Sequence, residues 1–328
     1  MPKYKQLTLA ERDVITTMLA EKKSQGDIAQ ALGRSKGTIS RELSRNSSPE
    51  YKLYLSHRAH GRAEHRKKQA SQRIRLKDAR IISYVTAKLA EGWSPEQIAG
   101  RISMDHKDLS ISHEAIYQYI YHSETDGRQD LIQCLRRAHR KRKSKSINRC
   151  TRKTRIPNRI PIDLRPQSVD DRKVFGHWEA DSLVSRKSLT ALNSLVERKT
   201  RLLMLTRLTR KTAQATFQAI VGRLQALPPE ARMTLTMDNG TENAMHEEIT
   251  SAIGIQCFFA HPYASWERGT NEHINGLVRW YLPKGSDFAN ISDDEIASIE
   301  SLINNRPRKC LGFKTPLEAA SQIVALQG

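Results

Sequence analysis

The chain has 328 residues, enough for two or three domains, and carries a formal net charge of +20. Residues 1–160 hold 35 Lys and Arg against 16 Asp and Glu, whereas residues 161–328 are nearly neutral. An excess of positive charge of this size in one half of the chain favours a polyanion such as DNA or RNA as the partner. The alternative is a basic surface that keeps the protein soluble. The sequence has no apolar run of about 18 residues and no signal-peptide core, which excludes a membrane partner and predicts a cytoplasmic protein.

The first predicted elements are three short helices within residues 7–45. Thr8 and Glu11 fit a capping box that begins the first helix. Val14, Ile15 and Leu19 follow at helical spacing, which predicts one apolar face on this helix.

The third of these helices is predicted to follow a glycine turn, with Ile39 and Leu43 facing inward. Its outward side chains are Lys36, Thr38, Ser40, Arg41 and Arg45. A helix with a polar, basic outer face suits the DNA major groove, where Lys and Arg reach guanine edges or phosphates. The alternative is a small helical bundle with a solvated face.

Residues 79–121 repeat this helix-turn-helix pattern with less positive charge. The last helix of the repeat is predicted to keep Ile116 and Ile120 inward. Its outward side chains are His113, Tyr117 and Gln118, which we expect to contact DNA. Because this copy is less basic, a packing or dimerisation module is an alternative of nearly equal weight.

Two basic segments separate the predicted domains. Residues 58–78 are predicted to be an exposed helix or a linker. Residues 136–165 contain a denser block that includes Arg140, Lys141, Arg142 and Lys143. A block of like charges repels itself, so the DNA backbone is a candidate for ordering it, and a plain solvated linker is the alternative. The predicted domains are therefore 1–57, 79–135 and 166–328.

The period of the apolar residues changes in the second half. Strands are predicted at 176–184, 188–196, 202–208, 233–237 and 255–260, with helices at 212–227 and 268–282. This order predicts a mixed α/β layer structure.

Three carboxylates in this half have a spacing that suggests a metal site. Asp181 lies in the first predicted strand, Asp238 follows the fourth, and Glu272 is near the start of the last helix listed above. Without a cation, three neighbouring carboxylates repel one another. Carboxylate oxygens suit Mg²⁺ or Mn²⁺, and two such ions can clamp the attacking and leaving oxygens of a phosphodiester displacement.

Spacing alone leaves other acids in competition for the site. They are Glu179, Glu242 and Glu267. The aromatic loop at 261–269 is too irregular for a routine turn, although a core-packed Trp266 is an alternative to a role at the site.

The helix after this loop offers further site residues. Asn275 and Arg279 fall three and seven positions after Glu272, which predicts that all three share a face. Asn275 and Arg279 are candidate DNA-binding residues, with Arg279 as a phosphate contact, and a surface ion-pair face or ordinary capping is the alternative. Asn271 and His273 flank the acid and are candidates for DNA contact.

These motifs resemble the insertion-sequence-30 family of bacterial transposases, within the Asp-Asp-Glu recombinases that include retroviral integrases. The resemblance rests on GHWEAD at 176–181, MDNG at 237–240, HPY at 261–263 through NG at 275–276, LPKGSDF at 282–288 and NNRPRKCLGFKTP at 304–316. It implies a ribonuclease H-like, integrase-type core after an all-α helix-turn-helix region, with Asp181, Asp238 and Glu272 as the metal-binding triad. It also favours Glu272 over Glu267 and gives Arg279 the role of the basic residue seven positions later.

The resemblance implies a bacterial, nucleoid-associated transposase whose partner is double-stranded DNA. We expect the N-terminal region to bind the terminal inverted repeats of its own element. Water would then cut a phosphodiester at the element end, and the freed 3′-hydroxyl would attack the target DNA, with two Mg²⁺ or Mn²⁺ ions as cofactors. Joining two ends requires at least a homodimer on DNA. The alternatives are a DNA-binding regulator with an inactive core and a nuclease without strand transfer.

Overall fold

The computed structural model describes residues 6–48, 53–71, 76–122, 125, 127–135, 156–262 and 264–327. The chain divides into two compact units, Met1–Arg75 and Leu76–Gly328. No helix in these ranges is long and apolar enough to cross a membrane. The finer domain boundaries given above stay predictions.

The first unit is built from helices α1 (Leu9–Ala20), α2 (Gln25–Ala31), α3 (Lys36–Asn46) and α4 (Ser56–Ser71). The three helices predicted within residues 7–45 are confirmed, and α1 begins at the predicted Thr8 capping box. Ile15, Ile28 and Ile39 are fully buried between the helices. The prediction for Val14 was wrong, because the bundle covers the face of α1 that carries Ile15 and leaves Val14 40% exposed.

A buried ion pair joins α1 to α3 in this unit. Arg12 Nε lies 2.7 Å from Glu42 Oε1, and its Nη1 donates to the carbonyl oxygen of Leu7 at 2.7 Å. Tyr54 donates from its hydroxyl to the same Glu42 oxygen at 3.0 Å. Because every charge in the cluster has a partner, its burial is tolerated.

The second unit begins with four helices, α5 (Ala79–Ala90), α6 (Pro95–Asp105), α7 (His113–Tyr121) and α8 (Arg128–Gln133), which we call the second helical module. Their core contains Val85, Leu89, Ile98, Ile116 and Ile120, all fully buried. Helix α6 begins with a proline, and the side chain of Ser94 forms a capping box with Gln97.

The remainder of the second unit is a mixed α/β structure. Its elements are α9 (Ser168–Asp171), β1 (His177–Val184), β2 (Ala191–Glu197), β3 (Leu203–Leu208), α10 (Ala213–Leu224), β4 (Thr234–Met237), α11 (His246–Ile253), β5 (Gln256–Phe259), α12 (Gly269–Tyr281), α13 (Asp293–Asn304) and α14 (Pro316–Gln327). The strand order is β3-β2-β1-β4-β5. Strands β1, β2 and β3 are antiparallel neighbours, and β4 and β5 run parallel to β1. The predicted helix-turn-helix region followed by a ribonuclease H-like core with a mixed sheet is confirmed.

Each face of the sheet carries its own apolar core. Trp178 and Ala180 belong to the core on one face, with Ile220 of α10. Leu183 belongs to the other core, with Ile274 of α12. Because side chains alternate along a strand, Asp181 lies on the same face as Leu183, beneath α12.

Candidate active site

Asp181 and Asp238 come from adjacent strands and meet around one arginine. Arg268 Nη1 lies 3.4 Å from Asp181 Oδ1, and Arg268 Nη2 lies 3.6 Å from Asp238 Oδ2. Arg268 Nη1 also donates to the carbonyl oxygen of Ala180 at 3.1 Å. The guanidinium therefore lies where a cation between two carboxylates is electrostatically favoured.

The turn after β4 fixes the carboxylate of Asp238. Its Oδ1 accepts hydrogen bonds from Gly240 N at 3.1 Å and from Asn243 Nδ2 at 2.8 Å. A Cβ at position 240 would lie 2.3 Å from Glu242 Oε2. The Glu242 carboxylate therefore lies close to the backbone of this turn, and a side chain at position 240 would have to displace it.

Two asparagines set the register of α12 over β1. Asn271 donates from its backbone N to Glu179 Oε2 at 2.8 Å, and Asn275 donates from Nδ2 to Asp181 Oδ2 at 2.9 Å. Four residues of α-helix and two residues of β-strand both advance about 6–7 Å. The spacing from residue 271 to 275 on α12 therefore equals the spacing from residue 179 to 181 on β1. The prediction that Asn271 contacts DNA was wrong, because its side chain is fully buried against Glu179.

Each of the three competing acids is paired with another residue. Glu179 Oε1 lies 2.8 Å from Arg198 Nη1 and is fully buried. Glu242 pairs with Lys211 at 2.5 Å, and Glu267 pairs with His261 at 2.8 Å. The hydrogen bond that Glu267 accepts from the His261 ring, together with the charge of Asp163, raises the pKa of His261.

Glu272 lies on the exposed side of α12, one residue after Asn271. As placed, the described residues include no group of three or more His, Cys, Asp and Glu side chains that could hold a metal ion. The structure thus brings together Asp181 and Asp238 around Arg268, and the addition of Glu272 stays a prediction.

The surroundings of Asp181 fit a hard divalent cation. Two carboxylates already share a positive group, and Asn275 Oδ1 is buried without a hydrogen-bond partner among the described residues. Mg²⁺ and Mn²⁺ prefer such oxygen donors and keep several waters, which a buried amide oxygen can accept from. Asp181, Asp238 and Glu272 are the residues that would hold the ions.

Arg268 was not singled out from the sequence, although it follows the noted Trp266 by two residues. Trp266 is 75% exposed, which excludes the core-packed alternative. Arg279 donates to the carbonyl oxygen of Val184 at 2.8 Å and lies over the ring of Phe288 at 5.1 Å. Burial lowers the pKa of Arg279, and its predicted phosphate contact stays a prediction.

The predicted DNA-binding face of α3 lies at a cationic groove. Lys36, Ser40, Arg41 and Arg45 are exposed, and Thr38 is half-buried. Thr38, Arg41 and Arg45 line a groove of about 450 Å³ together with Arg66 and Lys67 of α4. Arg66 and Lys67 fall in the segment predicted to be an exposed helix or a linker, and the structure places them on α4, beside α3.

The predicted contact residues of α7 are also on the surface. His113, Tyr117 and Gln118 are exposed, and the ring of Tyr117 stacks on that of Tyr121 with centroids 6.5 Å apart. Arg140, Lys141, Arg142 and Lys143 lie outside the described residues.

Comparison with known proteins identifies the family. Residues 3–46 match a family described as a helix-turn-helix domain. A transposase for insertion sequence element IS1086 from Cupriavidus metallidurans is 36% identical over 98% of this chain and 96% of the relative. The transposase InsI for insertion sequence element IS30A from Escherichia coli is 40% identical over 98% of this chain and 84% of the relative. The chain belongs to the IS30 family of DNA transposases. Membership places this transposase among enzymes that cleave DNA and transfer its strands.

A solved structure of the catalytic core domain of BIV integrase overlaps part of the transposase. It covers 46% of this chain and 96% of the integrase chain, with 22% identity and a TM-score of 0.37. A likeness at that level supports no conclusion, so the strand order described above defines the fold.

Proposed function

We propose that this transposase cuts and joins DNA with Mg²⁺ or Mn²⁺ ions held by Asp181, Asp238 and Glu272. Two such ions, when bound, stabilise the charge that develops on the attacking and leaving oxygens of a phosphodiester displacement. The observation that carries the proposal is the ion pairing of Arg268 with both aspartates, at 3.4 and 3.6 Å. Two carboxylates from separate strands are thus already arranged around a positive group.

The protein's own side chains hold this arrangement in place. Asn275 fixes the orientation of Asp181 by its 2.9 Å hydrogen bond, and Asn243 does the same for Asp238 at 2.8 Å. Preorganised ligands need no rearrangement at the moment of reaction. A metal ion held by both aspartates would displace the guanidinium of Arg268 from between them.

The DNA partner is proposed to be the terminal inverted repeats of the element, held by the cationic groove of α3 and α4, together with a target duplex. The α3 side supplies Arg41 and Arg45, and α4 supplies Arg66 and Lys67. Phosphate contacts of this kind give affinity through counterion release and fix the register on the duplex. Because two ends must be joined, we propose that the active species on DNA is at least a homodimer.

An Asp238→Asn variant tests the enzyme directly. Asparagine keeps the size of the side chain and removes its charge, so we expect metal-dependent cleavage of a duplex carrying the DNA that flanks this reading frame to fall by at least about 100-fold. Binding of the same duplex should stay within about threefold, since Asp238 lies outside the groove of α3. Asp171→Asn, at the exposed last residue of α9, is the matched control.

Unchanged cleavage by Asp238→Asn would contradict the proposed site. A second assay supplies ends that are already nicked, with a free 3′-hydroxyl, and measures joining to a target duplex. Cutting without joining would identify a nuclease, and binding without either reaction would identify a regulator with an inactive core.

A further inference from the structure

We infer that the second helical module, α5–α8, is a fixed part of the catalytic unit and sets the distance between the DNA held on α7 and the phosphodiester that is cut. The positioning residues are Gly100 and Arg101 on α6, and Phe313 and Glu318 near the C-terminus. This inference rests on the proposed function and adds to it the reason why cutting would occur at one position.

One contact between the module and the core packs an aromatic ring on a glycine. A Cβ at Gly100 would lie 2.3 Å from Cε1 of Phe313, so the ring lies directly on the backbone of α6. Phe313 itself has a φ of 64°, in the left-handed region that non-glycine residues avoid. A strained residue of this kind persists only where its surroundings hold it, which indicates a well-defined contact.

A bidentate ion pair lies beside this ring. Arg101 Nη1 and Nη2 donate to the two oxygens of Glu318 at 2.7 and 2.6 Å. The hydrogen bonds from Arg101 lower the pKa of Glu318 to about 2. Bidentate pairs between arginine and carboxylate restrict both distance and angle, so this contact resists sliding as well as separation.

Further hydrogen bonds extend the contact to the active-site helix. Gln97 Nε2 donates to the carbonyl oxygen of Pro307 at 2.7 Å, and Arg306 Nε donates back to Gln97 Oε1 at 2.8 Å. Tyr281, the last residue of α12, donates from its hydroxyl to the carbonyl oxygen of Glu91 at 2.9 Å. The turn between α5 and α6 is therefore tied to the helix that carries Glu272.

The DNA-facing side of α7 opens toward the same helix. A cleft of about 540 Å³ has Tyr117 and Tyr121 of α7 among its lining residues, together with His273 and Leu277 of α12. His273 directly follows Glu272. A DNA strand lying on α7 would thus meet a cleft whose far wall belongs to the helix that carries Glu272, and the paired tyrosine rings can stack on bases.

Rigid docking of the second helical module on the core would fix where the DNA is cut, whereas a flexible tether would not. Helices α6 and α7 share one core through Ile98 and Ile116, so α7 follows α6 when α6 is held. A module held only by a flexible linker would present DNA at variable distances from the active site. A docked module presents one distance, which selects one phosphodiester.

The test replaces Gly100 with leucine, which must displace the Phe313 ring and separate the contact. The full-length protein is incubated with Mn²⁺ and a duplex carrying the DNA that flanks this reading frame, and cut positions are mapped at nucleotide resolution. We expect the wild type to cut at one position and Gly100→Leu to cut at several neighbouring positions. Duplex affinity should change by less than about threefold, because the outer face of α7 is untouched. Gly222→Leu is the control, since open space surrounds this glycine of α10.

Cutting by Gly100→Leu at the single wild-type position would overturn the inference. If the wild type cuts at no position, the proposed function fails, and hydrogen exchange on the same proteins still decides the docking. In Gly100→Leu, amides at 278–282 and 313–318 should exchange at least about tenfold faster than in wild type, with α5 and α7 unchanged. Equal protection in both proteins would also overturn it. Arg101→Ala provides a milder variant, with the same two readouts, should Gly100→Leu fail to fold.

Discussion

Asn275 donates a 2.9 Å hydrogen bond to Asp181, while Asn271, one helical turn earlier, donates to Glu179. The two asparagines occupy equivalent positions over one strand and hold acids with different surroundings. Asp181 is partly exposed beside Arg268, whereas Glu179 is fully buried against Arg198. We therefore assign the Asn275–Asp181 pair to the proposed reaction and the Asn271–Glu179 pair to the stability of the fold.

Substitution of the two asparagines should separate these roles. Asn275→Ala frees the Asp181 carboxylate, so we expect DNA cleavage to fall by about 10–100-fold, as for other groups that orient metal ligands. Its free energy of unfolding should fall by only about 1 kcal/mol. Asn271→Ala keeps the backbone donor to the Glu179 carboxylate. It removes the buried side-chain hydrogen bonds to the carbonyl oxygens of Glu179 and Ser194 and from the Ser194 hydroxyl, so it should cost about 3 kcal/mol. Cleavage rates and urea unfolding measure both, and equal losses of stability would contradict the assignment.

Glu179→Gln should destabilise the protein. The neutral amide removes the buried partner of Arg198, which then keeps only the more exposed Asp170 as an ion-pair partner, at 3.0 Å. Breaking a buried ion pair typically costs about 3–5 kcal/mol, so we expect a loss near the lower end of that range. Urea unfolding measures the loss, and Glu248→Gln, an exposed acid of α11, serves as the control. A stable variant that had lost Mn²⁺ binding would instead make Glu179 a metal ligand.

Arg268→Ala should change the response of the protein to metal. In the wild type an incoming ion must displace the guanidinium, and in the variant it relieves repulsion between Asp181 and Asp238. We therefore expect the variant to have a lower Tm than wild type in EDTA and a larger Tm increase on adding Mg²⁺, equivalent to about 1 kcal/mol. Arg186→Ala, in the turn after β1, is the control. A smaller metal-induced increase than in wild type would show that Arg268 supports the ion instead of competing with it.

His261 should make stability depend on pH. Its hydrogen bond to Glu267 and the charge of Asp163 raise its pKa above the ordinary value of 6.5. A group with a raised pKa in the folded state contributes its full stabilisation below the unfolded value, and that stabilisation is lost as pH rises through the folded value. The Tm of wild type should therefore fall relative to that of His261→Gln as pH increases above about 6.5. Parallel Tm profiles for the two proteins would exclude this contribution.

Trp266→Ala tests whether the exposed indole contacts DNA. Because the side chain is 75% exposed, the Tm should remain within about one degree of wild type. Stacking of a base on an aromatic ring contributes about 1–3 kcal/mol, so strand transfer should fall by about tenfold or more. Trp266→Phe keeps an aromatic ring and should retain most activity. Full strand transfer by Trp266→Ala would exclude a stacking role.

The elements of this protein could be predicted from local sequence patterns. The apolar residues around Ile15, Ile28 and Ile39 repeat at helical spacing, and each of these side chains is buried in the structure. The five strands were predicted to within a few residues, because runs of apolar residues end at polar turns. Asp238 was assigned to a strand end for the same reason.

Partners distant in sequence could not be predicted in this way. Nothing local indicates that Arg268 lies between Asp181 and Asp238, or that Arg198 neutralises Glu179. Helix α6 lies within the predicted second helix-turn-helix repeat, yet its glycine gives no sign that Phe313, more than two hundred residues later, lies on it. Such contacts depend on how whole elements pack against one another, and the local spacing of apolar residues does not indicate that packing.

The sequence by itself determined the family, the helix-turn-helix and ribonuclease H-like folds, and which three acids are candidates for the metal site. Each of these follows from the local spacing of apolar residues or from a short motif. The tertiary structure decided which competing acids are paired elsewhere, how α12 is aligned on β1, and that α6 docks on residues 306–318. Those outcomes depend on distances between elements, which are fixed only when buried polar groups and side-chain volumes are matched across the folded chain.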